Sequence, residues 1–297
     1  MKRLSLLLSL LFFLHTLDAQ QDFSKVEIKT VKLTDQIYML QGSGGNIGVF
    51  KGDDAVLMID DQFAPLGDKI KAAIKALSDQ PVKYLVNTHW HGDHTGGNEN
   101  FGAGGSIIIA QENVRARLST EQFNRTFNQT IPPSPEAAWP ELTFTEDMQV
   151  HINGQEVVLL HVHNAHTDGD TFVWFPQSNV LHTGDCFFKD KFPYIDLGSG
   201  GTVDGAIKAV QAALMLADDA TKIIPGHGDL ANKTDLLNYH RMLVTMRDRV
   251  KSAMAEGKSI EVIKASGLDN GYEDWGTGFI SSDRMVDILW TDLTKGL

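Results

Sequence analysis

Strand-like runs lead into helical periods twice along this 297-residue chain, and few folds accept that order. Residues 26–33, 37–41, 46–50 and 55–60 are short β-rich runs separated by Asp, Gly and Lys. Residues 67–77 then carry apolar side chains at helical spacing through Ile70, Ala73, Ile74 and Leu77. Residues 82–87 and 106–110 read as strands, and 111–120 as a helix. In the second half, residues 148–152 and 155–162 flank Asn153-Gly154, a strong hairpin signal. Residues 171–175 and 180–183 form a second hairpin pattern. Helical periods follow at 205–217, 235–255, 259–265 and 282–293, with a short strand at 222–225. Residues 121–140 are polar, contain Pro132, Pro133, Pro135 and Pro140, and read as a surface excursion. Two sheets packed face to face with helices outside would bury both sheet faces. The expected fold is therefore an α/β four-layer αββα sandwich. One domain would occupy residues 20–297, with a helical C-terminal extension from about residue 235.

Charge and targeting narrow the function classes. Lys and Arg number 26 against 38 Asp and Glu, a net charge of −12. That balance argues against nucleic acid as a partner, because a phosphate-backbone footprint needs concentrated positive charge. The single cysteine, Cys186, excludes an intramolecular disulfide framework and a Cys-rich zinc cluster. Lys2 and Arg3 precede an apolar run over residues 4–14, and Ala19 follows, which is the layout of a secretory signal peptide over residues 1–19. The run is short for a bilayer span. The expected mature protein is periplasmic, without a membrane span, and acts on a small-molecule substrate.

The chemistry concentrates after the strand at 82–87, in Thr88-His89-Trp90-His91-Gly92-Asp93-His94-Thr95-Gly96-Gly97. Three imidazoles and a carboxylate so close together are donors suited to zinc. On an extended segment His89 and His91 share a side and can grip one ion. Asp93 and His94, at the turn, would face a neighbouring position. Further donors sit just past other strand ends: His166 in His166-Thr167-Asp168-Gly169-Asp170, Asp185 after Gly184, and His227 after Pro225-Gly226.

These four motifs, in this order, resemble those of the metallo-β-lactamase superfamily, over roughly residues 26–228. The resemblance implies an αββα sandwich with a dinuclear site, two Zn²⁺ per chain. His89, His91 and His166 would bind the first ion, Asp93, His94 and His227 the second, and Asp185 would bridge them. Asp93 would also be catalytic, orienting the attacking hydroxide that the two ions share. No serine nucleophile is needed, and no G-x-S-x-G elbow is present.

Other residues carry narrower expectations. One subclass of metallo-β-lactamases puts a cysteine thiolate on the second metal, with a lysine three residues later. Cys186-Phe187-Phe188-Lys189 has that spacing, although the subclass lacks a histidine at the place of His94. Adjacent side chains of an extended segment point apart, so the two are not expected to bind together; Asp185 is the favoured ligand, leaving Cys186 a second-best ligand or a small buried hydrophobe. Lys189 could anchor a substrate carboxylate. Ser199, in Leu197-Gly198-Ser199, stands where the subclass places a substrate-binding asparagine. Trp90 could shape the pocket, and residues 42–45 form either a flap or an ordinary turn. His161, His163 and His182 match no ligand position.

The resemblance implies an exported zinc hydrolase that opens a cyclic amide, with β-lactam antibiotics as the first substrate class. A broad lactonase, esterase or phosphodiesterase is the alternative, although Phe188 stands where quorum-signal lactonases carry tyrosine. From another class, a non-catalytic zinc-binding protein would share the ligands.

Overall fold

A computed structural model describes residues 22–124, 126 and 128–295. The expected signal peptide lies outside the described residues. The first sheet begins as an antiparallel meander of β1 (Lys29–Lys32), β2 (Ile37–Gln41), β3 (Ile47–Lys51) and β4 (Val56–Ile59). After α1 (Gly67–Lys75), β5 (Val82–Val86) joins parallel to β4. Two short helices, α2 (Gly92–Thr95) and α3 (Asn98–Gly102), lead to β6 (Ile107–Gln111), parallel to β5. Helix α4 (Glu112–Leu118) precedes a separate hairpin of β7 (Gln122–Asn124) and β8 (Gln129–Ile131), and β9 (Leu142–Phe144) closes the first sheet beside β6.

The second sheet is β10 (Asp147–Ile152), β11 (Gln155–Val162), β12 (Asp170–Phe175) and β13 (Val180–His182), all antiparallel. Helix α5 (Val203–Leu216) then crosses to β14 (Lys222–Ile224), which runs parallel to β13. Helices α6 (Lys233–Ala255), α7 (Ile260–Ala265) and α8 (Ser282–Thr294) finish the chain. No described helix is long and apolar enough to cross a membrane.

Period-two alternation builds the layers. On β4, Leu57 and Ile59 join the core between the sheets, while Val56 and Met58 face α1. The central core meets Val173, Phe175 and Ile224 of the second sheet, with the rings of Phe50 and Phe175 edge-to-face at 5.2 Å. Outside the second sheet, Phe172, Leu181 and Ile223 pack with α5, α6 and α8. Strands covered on both faces are apolar throughout, as β4 is. The Asn153-Gly154 turn has φ of 54° and 74°, both left-handed as its hairpin class requires. Asn153 also reaches the first sheet, its Nδ2 donating to Ala55 O at 3.0 Å.

The excursion expected over residues 121–140 is more ordered than its sequence implies, holding β7, β8 and a 3₁₀ turn at Glu136–Ala138. Three-residue strands are too short to display alternation. Helix α6 starts two residues earlier than its apolar period, because Asn232 and Asp235 form a reciprocal cap.

Phe175 is fully buried where the sheets meet. Phe175→Ala should lower unfolding stability in urea by about 3–5 kcal/mol. A loss under about 1 kcal/mol would mean that the two sheets do not share this core.

Candidate metal centre

Four strand ends converge at one edge of the sandwich. His89 and His91 follow β5, and Asp93 and His94 lie in the single turn of α2. His166 follows β11, Asp185 follows β13, and His227 follows β14. The structure brings all seven side chains together as two adjoining donor groups: His89, His91, His166 and Asp185, then Asp93, His94 and His227. In the first, His166 Nε2 lies 2.8 Å from His91 Nδ1, and Asp185 Oδ2 lies 3.8 Å from His89 Nε2. In the second, His227 Nε2 is 3.3 Å from Asp93 Oδ2 and 3.4 Å from His94 Nε2. Asp185 Oδ1 adjoins this second group, 3.0 Å from His94 Nε2.

These donors fit metal. Tetrahedral zinc with bonds of about 2.0–2.1 Å separates its ligand atoms by about 3.3 Å, and the observed spacings scatter around that value. His89 Nε2 is buried, with no hydrogen-bond partner. Unpaired buried polar atoms are costly unless an ion satisfies them.

A second set of groups fixes each ring. Asp60 Oδ2 accepts from His94 Nδ1 at 2.7 Å and from Thr88 Oγ1 at 2.7 Å, while Oδ1 accepts from Thr88 N. Because Thr88 Oγ1 donates to Asp60, it must accept from His89 Nδ1, 3.1 Å away, which leaves the His89 Nε2 lone pair facing the cluster. Asp196 Oδ2 holds His91 Nε2 at 3.0 Å, and Tyr194 O accepts from His166 Nδ1 at 2.6 Å. Asp170 Oδ2 receives the backbone N–H groups of His166 and Thr167.

Two glycines are there for closeness. A Cβ at Gly45 would lie 2.1 Å from His94 Cε1, and one at Gly226 would lie 2.0 Å from Asp185 Oδ1. The turn at residues 42–45 thus packs directly on the donor cluster. Gly45 N donates to Asp93 O at 3.0 Å.

Burial lowers the His89 pKa far below its ordinary value, helped by the neighbouring imidazoles, and brings His166 to about 4. Both are neutral, as ligands must be. Burial alone would raise Asp93, but His94 and His227 hold it at about 2. Burial opposes charge on His227 as well, yet Asp185 and Asp93 lift it to about 9. The carboxylates therefore concentrate positive charge at this end of the cluster.

Several other expected site residues sit elsewhere. Cys186 belongs to neither donor group: the 3₁₀ turn at Gly184–Cys186 directs its Sγ to Asp170 Oδ2, 3.6 Å away, and burial pushes its thiol pKa well up. Lys189 does not line the cavity; its ammonium binds Leu230 O at 3.1 Å and Asp235 at 3.4 Å. Ser199 does not line it either, donating instead to Asp196 Oδ2 at 2.7 Å. Trp90 is part of the wall. His182 is a buried link between sheets, bonded to Asn46 O and Gly184 N.

The donors open onto a cavity of about 830 Å³ whose wall includes His91, Asp93, Asp185 and His227. Phe188, in the same wall, stacks on His227 with ring centres 5.1 Å apart. Lys191 lines it too, bonded to Thr277 Oγ1 at 2.7 Å. Sequence reading passed over Asp60, Tyr194, Lys191 and Asp196. Asp60 had a usable signal, since it is a carboxylate at a strand end like Asp185.

Two sheets between helix layers, with imidazoles and carboxylates converging at one edge, define a metallo-hydrolase. Residues 40–227 match the family model described as "Metallo-beta-lactamase superfamily", and the chain belongs to that superfamily. It is 22% identical over 255 residues to the Metallo-beta-lactamase type 2 of Bacteroides fragilis, covering 82% of this chain and 96% of that protein. It is 26% identical over 177 residues to the Beta-lactamase-like protein 2 homolog of Caenorhabditis elegans. That match covers 57% of this chain and spans about half, 52%, of the relative. Among solved structures, a metallo-beta-lactamase from Pontibacter korlensis superposes with a TM-score of 0.62 at 18% identity, covering 73% of this chain and 99% of the other. The sec-alkylsulfatase Pisa1 from Pseudomonas sp. gives 0.63 at 16% identity, covering 89% and 50%. At these identities the superpositions speak for the fold alone.

The raised His227 makes protons competitors for a metal ion. Metal affinity should strengthen as pH rises towards about 9, the value at which His227 loses its proton. Loading the metal-free protein in weak buffer should release protons; calorimetry in buffers of different ionisation enthalpy would reveal pH-independent, proton-neutral binding if this is wrong.

Proposed function

We propose that this protein is an exported dinuclear zinc hydrolase that opens cyclic amides, β-lactam antibiotics first among them. The division of Asp185 carries the reading: its Oδ2 faces His89 and His166, while its Oδ1 faces His94 and His227. A carboxylate split in this way suits a bridge between two ions. His89, His91 and His166 would hold one ion and Asp93, His94 and His227 the other. Ions so held supply Lewis acidity towards a carbonyl and lower the pKa of water towards neutrality.

The chain's own groups do the rest. Asp93 remains ionised in the cavity wall, able to accept a hydrogen bond from an attacking water. Asp60, Asp196 and Tyr194 O keep the imidazoles in register, which is what pre-organisation requires. Phe188 and Trp90 add apolar surface to the wall beside the donors. The B. fragilis relative, matched over nearly its whole length, supports the β-lactam substrate. The leader pattern at residues 1–19 supports export to the periplasm, where such antibiotics act. The cavity running to the donors favours an enzyme over a zinc-storage protein.

A second reading has its own support. Lys189 and Ser199, the two residues that pointed to β-lactams in particular, are engaged away from the cavity. That favours lactone, ester or phosphodiester hydrolysis on the same donors. A panel of penicillins, cephalosporins, lactones and phosphodiesters, assayed with and without chelator, tests both. Turnover of lactones or phosphodiesters with none of β-lactams would move the assignment to the second reading.

Two mutational predictions follow from the geometry. Asp185→Ala should lose bound metal and at least about a hundredfold in activity, whereas Cys186→Ser should keep both; the opposite pattern, read by metal analysis, would make the thiolate the ligand. Lys191 is the wall lysine placed to meet a substrate carboxylate. Lys191→Ala should raise KM for carboxylate substrates about tenfold, the worth of one charge-assisted hydrogen bond, and an equal effect from Lys189→Ala would contradict the placement.

A further inference from the structure

We propose that the substrate carries a bulky apolar group, an alkyl chain or aryl ring, lodged between the β7–β8 hairpin and the segment leading into α8. This rests on the hydrolase reading above and specifies its substrate class. The cavity has two unlike halves. The donor end is made by the strand-end loops, whereas Trp90, Leu118, Ile131, Pro132, Phe279 and Ile280 form an apolar part of the remaining wall. At about 830 Å³ it lies towards the large end of the roughly 300–1,000 Å³ typical of ligand sites.

The apolar wall comes from two pieces of chain that bear no donors. Ile131 and Pro132 leave β8, in the stretch whose sequence reads as a plain excursion. Phe279 and Ile280 precede α8, outside residues 40–227 that match the family model. Both pieces are fastened. Arg117 binds Asp168 through Nε at 2.8 Å and through Nη2 at 2.6 Å, and its Nη1 donates to Gln122 Oε1 at 3.0 Å. The hairpin is thereby tied to the loop that carries His166. On the other side, Phe192 N donates to Trp275 O at 3.1 Å, and Ile280 is buried.

Phe279 is 74% exposed although it lines this cavity. Its ring meets that of Tyr194 edge-on at 6.4 Å, and the face it leaves open lies in the cavity wall, where an apolar surface rimming a reaction site serves as a ligand surface. Of the cations in this wall, Arg117 has its charge matched by Asp168, and Lys191 is held at the edge by Thr277 Oγ1.

The test uses the zinc-loaded protein with two probes. One is the series of p-nitrophenyl esters from acetate to octanoate; the other is the straight-chain carboxylates from butanoate to decanoate, followed by calorimetry. We expect kcat/KM for the esters, and affinity for the carboxylates, to rise about twofold per methylene, half of the full-burial increment. Phe279→Ala should cut the octanoate-to-acetate ratio of kcat/KM about fivefold, and Ile131→Ala should do likewise. Met215→Ala removes a still more exposed hydrophobe from α5, outside the cavity, and should leave that ratio unchanged. Flat chain-length dependence in both probes overturns the inference even if β-lactams or esters are hydrolysed. Carboxylate affinity that rises with chain length, and falls in Phe279→Ala, upholds it even where no ester or lactam is turned over, in which case the hydrolase reading fails instead.

Discussion

The Asp60 carboxylate joins three pieces of chain at the centre of this molecule. It stands at the end of β4 with a left-handed φ of 59°, an arrangement that costs backbone strain. In return one oxygen takes the Thr88 N–H, and the other takes the Thr88 hydroxyl and the His94 ring. The loop after β5 is thereby held against the end of β4, and α2 against both. Through Thr88 the same carboxylate sets the tautomer of His89. Without it, two imidazoles from one loop would be free to turn. Burial makes the arrangement strict, because a polar atom enclosed there without its partner has no water to fall back on.

The layered fold was largely legible in the sequence because burial on both faces leaves a readable pattern. β4 is uniformly apolar, and β10–β11 is marked by Asn153-Gly154, whose left-handed pair leaves few other geometries open. β7, β8 and β9 were not legible. Each is three residues long, and their pairing depends on the elements beside them rather than on their own alternation. The donor residues could be read as a group because every one follows a strand end, a relation that survives in one dimension.

The lysines show where such reading stops. Lys189 and Lys191 are two residues apart and chemically alike, yet they lie in different surroundings. Lys189 N donates to His227 O, placing residue 189 beside the start of α6, where Asp235 and Leu230 O take its ammonium. Lys191 passes this anchor and reaches the cavity. The difference comes from a contact with residue 227, far away in sequence, and no local pattern encodes it. Ser199 follows the same logic: the turn at Leu197–Ser199 folds back on Asp196, so its hydroxyl supports a carboxylate.

The donors of each half of the chain have a consequence for assembly. His89, His91, Asp93 and His94 come from the first sheet's loops, while His166, Asp185 and His227 come from the second's. Each donor group draws on both, and Asn46 N bonds Gly226 O across the same seam at 2.7 Å. Neither sheet alone can present a complete set, so an ion cannot template the early stages of folding. The binding energy of an ion held there would become available only when contacts distant in sequence have closed, and the ion would then act as a clasp that slows the sheets' separation. The centre would therefore be the last part of the molecule to be completed, whatever metal is present while the chain folds.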